Sequence, residues 1–490
     1  MGDLLGAMPN KPPPEGIPAT AEFAGAALPD ARLKRRLEMV VEAAARDPSA
    51  SLPRMMGSES DREAAYRFLS NARVEFDAVL QPHLDQSAQR AVAAGCVLAI
   101  HDTTTFKLAG SRGRELGYIN TGARGFFLHA TIAVENDEAR QCLGLLKATT
   151  LLRETVRKTE KKALSGAECA ALGDRESRRW WEHVAAVHEA LAGRCEVIHV
   201  ADSEADNFTL LSNMVRTGCR FVTRMARDRR ARRRDDEPWI RVSAATGAAE
   251  HIAEREVPLS ARGEHRPPKS LKKFPPRDAR LATLRFAAMP IQLKRPPYLD
   301  ERYPAALEVN VVHVYESDAP AGVEPVEWFL FTKEPVGTRD EVLAVVDVYR
   351  RRWVIEEYFR AVKTGCGYEE RQLETRHAWM IALAIALPLA WRLLNLRTVA
   401  RRTPRAPATN VLSATEIDVL QHLRPGRLSH HPTVRETMLL VAELGGHIKN
   451  NGEPGWLVLH RGVSKLQALA EGVELARQIG VKPRGSGPTM

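Results

Sequence analysis

Two short, largely apolar runs, Cys96–Ile100 (CVLAI) and Cys195–Ala201 (CEVIHVA), are each followed within two residues by an aspartate, Asp102 and Asp202. A strand-length run without polar alternation is a strand buried on both faces, so it demands a sheet with cover on each side. In open α/β sheets the edge beyond the carboxyl ends of the strands is where ligands and catalytic groups collect. A lone acid in that place is more commonly a turn or cap residue, so neither aspartate carries an argument alone.

The rest of the chain supplies the frame. From Asp30, DARLKRRLEMVVEAAARD reads as an amphipathic helix with Leu33, Leu37, Val40 and Val41 on its apolar side. Its first turns hold Arg32, Lys34, Arg35 and Arg36, although a helix dipole favours acids there; contact with phosphate and a solvated face are the two readings of that choice. SDREAAYRFLSN reads as a second helix, with Ser60 as N-cap and Glu63 as its capping-box partner. Phe126–Val134 and Cys142–Leu146 flank the polar turn ENDEAR and predict a hairpin. A charged helical region precedes the second buried run. A helix is expected to start at Ser203-Glu204-Ala205-Asp206, and a strand at Phe221–Arg224. Residues 227–325, with RPPKSLKKFPP, KRPPYLD and strands at Ala282–Phe286 and Leu307–Tyr315, read as a β-rich insertion. Val326–Thr332 returns to a buried strand, and Thr338 with Glu341 offers a capping box for a helix stopped by Gly365 and Gly367. Helices dominate from Ala378 onward.

At roughly 100–200 residues per domain, 490 residues call for several units or one large domain with insertions. An apolar fraction of 44% with 27% charged residues excludes collagen, coiled coil and wholesale disorder. Six scattered cysteines without a C-x-x-C pair argue against a disulfide framework or cysteine-rich zinc site and fit a reducing compartment. Met1 to Ala27 lacks the continuous apolar core of a signal peptide, and its first ~20 residues read as a loose arm. Ala378–Trp391 is the most apolar run, shorter than the ~20 residues of a membrane helix and interrupted by Pro388, so a buried helix is expected. These features point to a cytoplasmic protein without a membrane partner. A net charge of +10 suits a polyanionic partner without specifying a fold.

The helical stretch VYRRRWVIEEYFRAVKTG adds the chemistry. Tyr349, Arg352, Glu356 and Lys363 are spaced three, four and seven apart. At 100° per residue they fall within about 60° of arc, while Trp353, Ile355 and Phe359 supply apolar side chains elsewhere on the helix. The plainer reading is a solvated face with i,i+4 ion pairs. Against it, three carboxylates from two strand ends and a helix are what a two-metal phosphoryl-transfer site requires, because hard divalent cations take oxygen ligands and sit about 3.5–4 Å apart.

With these residues in place the chain resembles the bacterial cut-and-paste DDE transposases of the insertion-sequence-four group, most closely the transposon-five type. The resemblance runs from about Ala27 to Ile479. It rests on AYRFLSN, IHDTTTF around Asp102, VADSEAD around Asp202, EWFLFTKEPV around Trp328, the Y-(2)-R-(3)-E-(6)-K signature and LGGHIKNNGEPGW. It implies an α/β fold with an RNase-H-like catalytic core over 75–400, holding the β-rich insertion. A small helical transposon-end DNA-binding domain over 1–74 and a helical dimerisation domain over 401–490 would flank that core.

By the same resemblance, Asp102, Asp202 and Glu356 are the catalytic triad and would bind two Mg²⁺ ions, with Mn²⁺ as a substitute. Tyr349, Arg352 and Lys363 would hold phosphates near the cut, and Trp328 would stack a flipped base when the end closes into a hairpin. Arg224, Arg32, Arg36 and Arg67 would touch transposon-end DNA. Without the resemblance, Trp328 reads as an ordinary core tryptophan. The expected partners are transposon-end duplex, target DNA and a second copy of the chain. Two departures bear on end specificity: Ala226 and Ser203 stand where the group has basic residues. The arginine run 229–234 is expected to meet phosphate. Glu357 should face away from the metals, Glu204 and Asp206 should start a helix or support the site, and His101, His129 and His199 should be satisfied core histidines. Two rival functions are a structure-selective nuclease with the same core and a non-catalytic inhibitor of transposition.

Overall fold

The structure, a computed structural model, describes residues 19–108, 115–119, 123–138, 140–153, 175–247, 249–263, 275–402, 404–448 and 454–479. The expected N-terminal arm lies outside these residues almost entirely, as do parts of the RPPKSLKKFPP and LGGHIKNNGEPGW segments.

Helices α1 (Ala31–Arg46), α2 (Leu52–Met55), α3 (Glu59–Leu69) and α4 (Phe76–Ala94) lead into strand β1 (Cys96–Lys107). β2 (Gly117–Tyr118), β3 (Arg124–Glu135) and β4 (Cys142–Leu151) follow. Helix α5 (Arg175–Leu191) crosses to β5 (Glu196–Ala201), and α6 (Phe208–Thr217) to β6 (Arg220–Arg224). Then come β7 (Arg230–Arg232), β8 (Ile240–Arg241), α7 (Val242–Gly247), β9 (His251–Leu259), β10 (Arg280–Lys294), β11 (Ala306–Glu316) and β12 (Glu327–Thr332). The remainder is helical: α8 (Arg339–Arg351), α9 (Trp353–Arg360), α10 (Arg376–Arg402), α11 (Ala414–Leu423), α12 (Val434–Leu444) and α13 (Trp456–Gln478).

Among the described residues the strands form one twelve-stranded sheet in the order β2-β3-β1-β5-β6-β12-β11-β10-β7-β8, with β4 on β3 and β9 on β10. β1 and β3 are antiparallel, β1, β5 and β6 run parallel, and β6–β12 is antiparallel. The segment expected to be a β-rich insertion within the domain is rich in strands and continues the main sheet through β12 and β11. Its strands are longer than the sequence suggests, because β10 keeps its alternating burial past Pro290.

The two apolar runs are buried on both faces, as expected. Leu98, Ile100, Ile198 and Val200 enter the large apolar cluster with α8, α9 and α10. Val97, Ala99 and Val197 enter a smaller one with Ala91 of α4 and Val187 and Leu191 of α5. α10 lies at the centre of the large cluster. Its stretch Arg376–Asn395 is long and apolar enough to cross a membrane, longer than the run picked out by sequence, yet 83% of that window is buried inside the protein. A helix so covered by its own chain is a core helix.

The N-terminal helices are part of the same core. Leu33, Leu37, Val40 and Val41 of α1 and Phe68 of α3 belong to the large cluster. Arg371 donates to the Pro48 carbonyl at 2.9 Å, and His377 lies 3.0 Å from the Asn71 carbonyl. α3 is capped by Ser58, whose hydroxyl accepts the Asp61 N–H, not by the expected Ser60 and Glu63. Glu63 instead pairs with Arg67 one turn on. The C-terminal helices α11, α12 and α13 close a third cluster around Leu412, Leu420, Val441 and Leu466. There α12 and α13 touch backbone to backbone: a Cβ on Gly462 would fall 1.7 Å from the Val441 carbonyl oxygen, so no larger residue fits.

Candidate active site

The parallel ladder between β1 and β5 runs from Cys96↔Glu196 to His101↔Ala201. Asp102 and Asp202 are the next residue on each strand, so they emerge side by side on strands ~4.8 Å apart. Asp102 is not the end of its strand, however. β1 continues to Lys107 against β3, with Asp102 opposite Ala130, because TTTFK alternates and suits a half-covered edge of the ladder. Asp202 does end β5. Its Oδ1 accepts the Glu204 N–H at 2.8 Å and caps a single 3₁₀ turn, Ser203–Ala205. The following α-helix starts later than expected, at Phe208, behind an Asn207 cap.

The third carboxylate comes from the helical stretch. The capping box of Thr338 and Glu341 forms as read from the sequence. The helix then tightens at Arg352: its N–H donates to the Tyr349 carbonyl and its own carbonyl accepts the Ile355 N–H, both three residues away. From that turn the guanidinium reaches Asp102 Oδ2 at 3.0 Å and Glu356 Oε1 at 2.6 Å. Arg352 thus bridges a strand carboxylate and a helix carboxylate, with its own side chain only 13% exposed. Burial, then the neighbouring Asp202 charge, push the Asp102 carboxyl up to about 7; Arg352 and the Thr103 N–H oppose this and Glu356 adds to it. A carboxyl raised in this way by burial and acidic neighbours is electrostatically frustrated, and a cation beside it relieves the frustration.

The other signature residues surround this group. Tyr349 is buried, its ring centroid 5.7 Å from that of Trp328 on β12. Burial pushes its hydroxyl up, partly offset by the charges of Arg352 and Arg224 and by the Arg224 hydrogen bond. Arg224 ends β6 opposite Leu330 of β12, next but one to Trp328. Trp328 is half-buried, so it is not the ordinary core tryptophan that a strand position suggests. Lys363 lies in a π-helical turn, Ala361–Gly365, where the 100° spacing no longer holds. Its Nζ donates to the Thr105 carbonyl at 2.7 Å, three residues beyond Asp102. Trp353, expected among the packed apolar residues, is 53% exposed.

The weaker candidates sort as follows. Glu357 turns away to Arg397 of α10 at 3.3 Å, as its position on the helix predicts. The Asp206 side chain is buried and gathers the loop after β6: its Oδ2 accepts the Ala226 and Arg227 N–H groups at 2.8 and 3.1 Å, and its Oδ1 accepts from Arg229 Nε at 2.9 Å. The arginine run is therefore split. Arg229 belongs to Asp206, and Arg232 bonds Gln292 and lies over Trp239, while Arg230, Arg233 and Arg234 stay exposed. Arg32, Arg36 and Arg67 stand on α1 and α3, and no described hydrogen bond or ion pair joins them to the carboxylate group. Asp206 as loop anchor was missed by sequence reasoning, although D-x-x-x-D beside a strand end was the available signal.

Comparison with known families gives two matches. Residues 178–389 match the family model described as a transposase DDE domain, and residues 18–74 match that described as transposase DNA-binding. The first spans Asp202, Trp328 and the whole Tyr349–Lys363 stretch, and the second spans α1, α2 and α3; Asp102 lies between the two matches. Domains of the DDE class use divalent metal ions, in keeping with an oxygen-rich acid group. The chain therefore carries a transposase DNA-binding domain ahead of a transposase DDE domain, which supports a metal-dependent, DNA-cleaving DDE transposase.

Proposed function

We propose that the protein is a cut-and-paste DNA transposase in which Asp102, Asp202 and Glu356 form the catalytic triad of an RNase-H-like core. One observation carries the reading: two aspartates stand abreast at the end of a parallel ladder, and a single buried arginine ties one of them to a glutamate 154 residues further along the chain from Asp202. The order β4-β3-β1-β5-β6, antiparallel and then parallel, supports the assignment of the core.

The donor set suits Mg²⁺. It is all oxygen, and Asp102 is held up near 7 by burial and by its acidic neighbours, a strain that divalent charge removes. Two such ions, when bound, supply Lewis-acid polarisation of the scissile phosphate and lower the pKa of the attacking water. The protein's own groups do the positioning. Arg352, which bonds Asp102 and Glu356, would turn to phosphate were cations to replace it on those carboxylates, and Tyr349, Lys363 and Arg224 would line the approach. Each step is then an in-line displacement at phosphorus. Water cleaves the P–O bond that frees a 3′ hydroxyl, and that hydroxyl attacks the opposite strand to close a hairpin. A second water opens the hairpin, and the 3′ end joins target DNA. Trp328, half-buried beside Tyr349, offers the stacking platform for the base displaced in the hairpin. Arg32, Arg36 and Arg67 would hold the transposon end, and the C-terminal helices α11–α13 would pair two copies so that two ends are held together.

Incubating the protein with its flanking inverted repeats, Mg²⁺ and a target plasmid tests the reading. Nicks, hairpins and joined product are expected. Cleavage without joining would instead make it a nuclease, and binding alone would make it a DNA-binding inhibitor.

A further inference from the structure

A second polar cluster lies beneath the strands that carry the aspartates, and the reaction above does not use it. It begins with His199 of β5, fully buried, whose Nδ1 lies 3.0 Å from Nε2 of His101 on β1. His101 Nδ1 lies 2.9 Å from the Thr131 hydroxyl, which is 2.8 Å from His183 Nδ1; His183 Nε2 is 2.9 Å from the Thr149 hydroxyl. Every histidine ring nitrogen of this relay has a partner among the described residues except the first: His199 Nε2 is buried without one there. A core that satisfies four groups in series and then leaves an imidazole nitrogen bare needs an explanation.

The surroundings of that nitrogen provide one. His188 of α5, His199 and Cys219, the residue before β6, bring one ligand atom each to within 4.8 Å of one another. Cys219 is a free thiol, 2% exposed, and among the described residues neither it nor the His188 ring has a hydrogen-bond partner. His188 is half-buried, which leaves a path from solvent. A neighbouring trio, His101, His129 and His183, is as close together, but its nitrogens are occupied by Thr131, Thr149, His199 and Thr103, with His129 Nε2 alone unpartnered.

We propose that His188, His199 and Cys219 form a zinc-binding site that clamps helix α5 to strands β5 and β6. Two imidazoles and a thiolate select a borderline transition metal over Mg²⁺, and bonds of ~2.0–2.3 Å require the three side chains to close by only a small rotation. Water entering beside His188 completes four-coordination, and the thiol proton leaves to solvent as the metal binds. The metal also fixes the direction of the hydrogen-bond chain. With Nε2 on zinc, His199 must carry its proton on Nδ1 and donate to His101 Nε2. His101 then donates from Nδ1 to Thr131, which donates to His183. His101 is thus the outer-shell partner that metal-bound histidines characteristically keep, and it is the residue next to Asp102.

The test is a Co²⁺ titration of the full chain after chelator treatment. One equivalent should produce visible ligand-field absorption together with a near-ultraviolet thiolate-to-cobalt band. Zn²⁺ should abolish both, and excess Mg²⁺ should abolish neither. Cys219→Ser should lose the thiolate band. His188→Ala, at a half-buried position that folding tolerates, should weaken Co²⁺ binding by more than the ~10–100-fold that loss of an outer-shell partner costs. Cys195→Ser, a thiol outside the cluster, should change nothing. Absence of a thiolate band in the unaltered protein, its persistence in Cys219→Ser, or unchanged affinity in folded His188→Ala would each overturn the site.

Discussion

Arg352→Ala removes the cation that the DNA-free protein places between Asp102 and Glu356. The guanidinium is 3.0 Å from one carboxylate and 2.6 Å from the other, at 13% exposure. Breaking a fully buried pair from one side costs ~3–5 kcal/mol, and the partial exposure of Glu356 reduces this to about 2–4 kcal/mol. The loss should depend on pH in a definite direction. Asp102 has a folded pKa raised to about 7 from 3.8, so the native state binds more protons than the unfolded state across that window. Its contribution therefore falls as pH rises, with the full penalty reached above 7. Below that pH the carboxyl takes a proton and tolerates the missing guanidinium; without Arg352, which lowers its pKa, the carboxyl keeps its proton to higher pH still, so the penalty grows as pH climbs past 7. Urea midpoints of the variant and the parent, measured on either side of pH 7 with and without Mg²⁺, should show a gap that widens on the alkaline side. Mg²⁺ should largely close that gap, since a divalent ion bound to the same carboxylates replaces the lost charge. An equal gap at both pH values, unmoved by Mg²⁺, would mean that Arg352 acts only as packing and would refute the electrostatic account.

Trp328→Ala should leave the first nick intact but slow hairpin formation by roughly ten- to a hundredfold, the equivalent of an aromatic platform worth ~1–3 kcal/mol. A gel time course should show nicked ends accumulating, and ends already cut on both strands should join normally. Arg36→Ala and Arg67→Ala should each weaken binding to the transposon end and lower the slope of log K against log salt by about one, as measured by fluorescence anisotropy. Glu22, buried against His83 and Arg90, has its carboxyl lowered to about 2: burial raises it, and the hydrogen bonds and charges of those two partners more than reverse that. Its stabilisation is full above the ordinary carboxylate range and is lost as pH falls through the folded value. Glu22→Gln should thus cost ~3–5 kcal/mol at neutral pH and progressively less in acid, as followed by circular dichroism.

The parts of the fold legible in sequence were those set by local pattern. Largely apolar runs marked β1 and β5, and hydroxyl-x-x-Glu marked the start of α8. What failed was decided by partners distant in sequence. β1 outlasts its apolar run because β3 pairs with TTTFK, and β10 outlasts Ala282–Phe286 because β11 pairs with it as far as Lys294. Ser58 caps α3 in place of Ser60 because the helix starts two residues earlier, a choice made between two serines of equal chemistry. At the site, apolar runs and helical spacing picked out the three carboxylates and Arg352 as candidates, and the fold sets Arg352 between Asp102 and Glu356. The spacing argument broke at Lys363, where a π-helical turn changes the angle per residue. The histidine chain was invisible for a plainer reason: His101, Thr131, His183 and His199 come from four separate elements, and no spacing rule connects them.

The central claim is that Asp102, Asp202 and Glu356 act as one metal-binding unit. Its most direct measurement is cleavage of transposon-end duplex in Mg²⁺ by the protein and by Asp102→Ala, Asp202→Ala and Glu356→Ala, with end-binding affinity measured in parallel. Each variant should bind the end nearly as well as the parent, because binding rests on phosphate contacts, and each should release no 3′ hydroxyl. A folded variant that binds the end and nicks it at the parental rate would contradict the account.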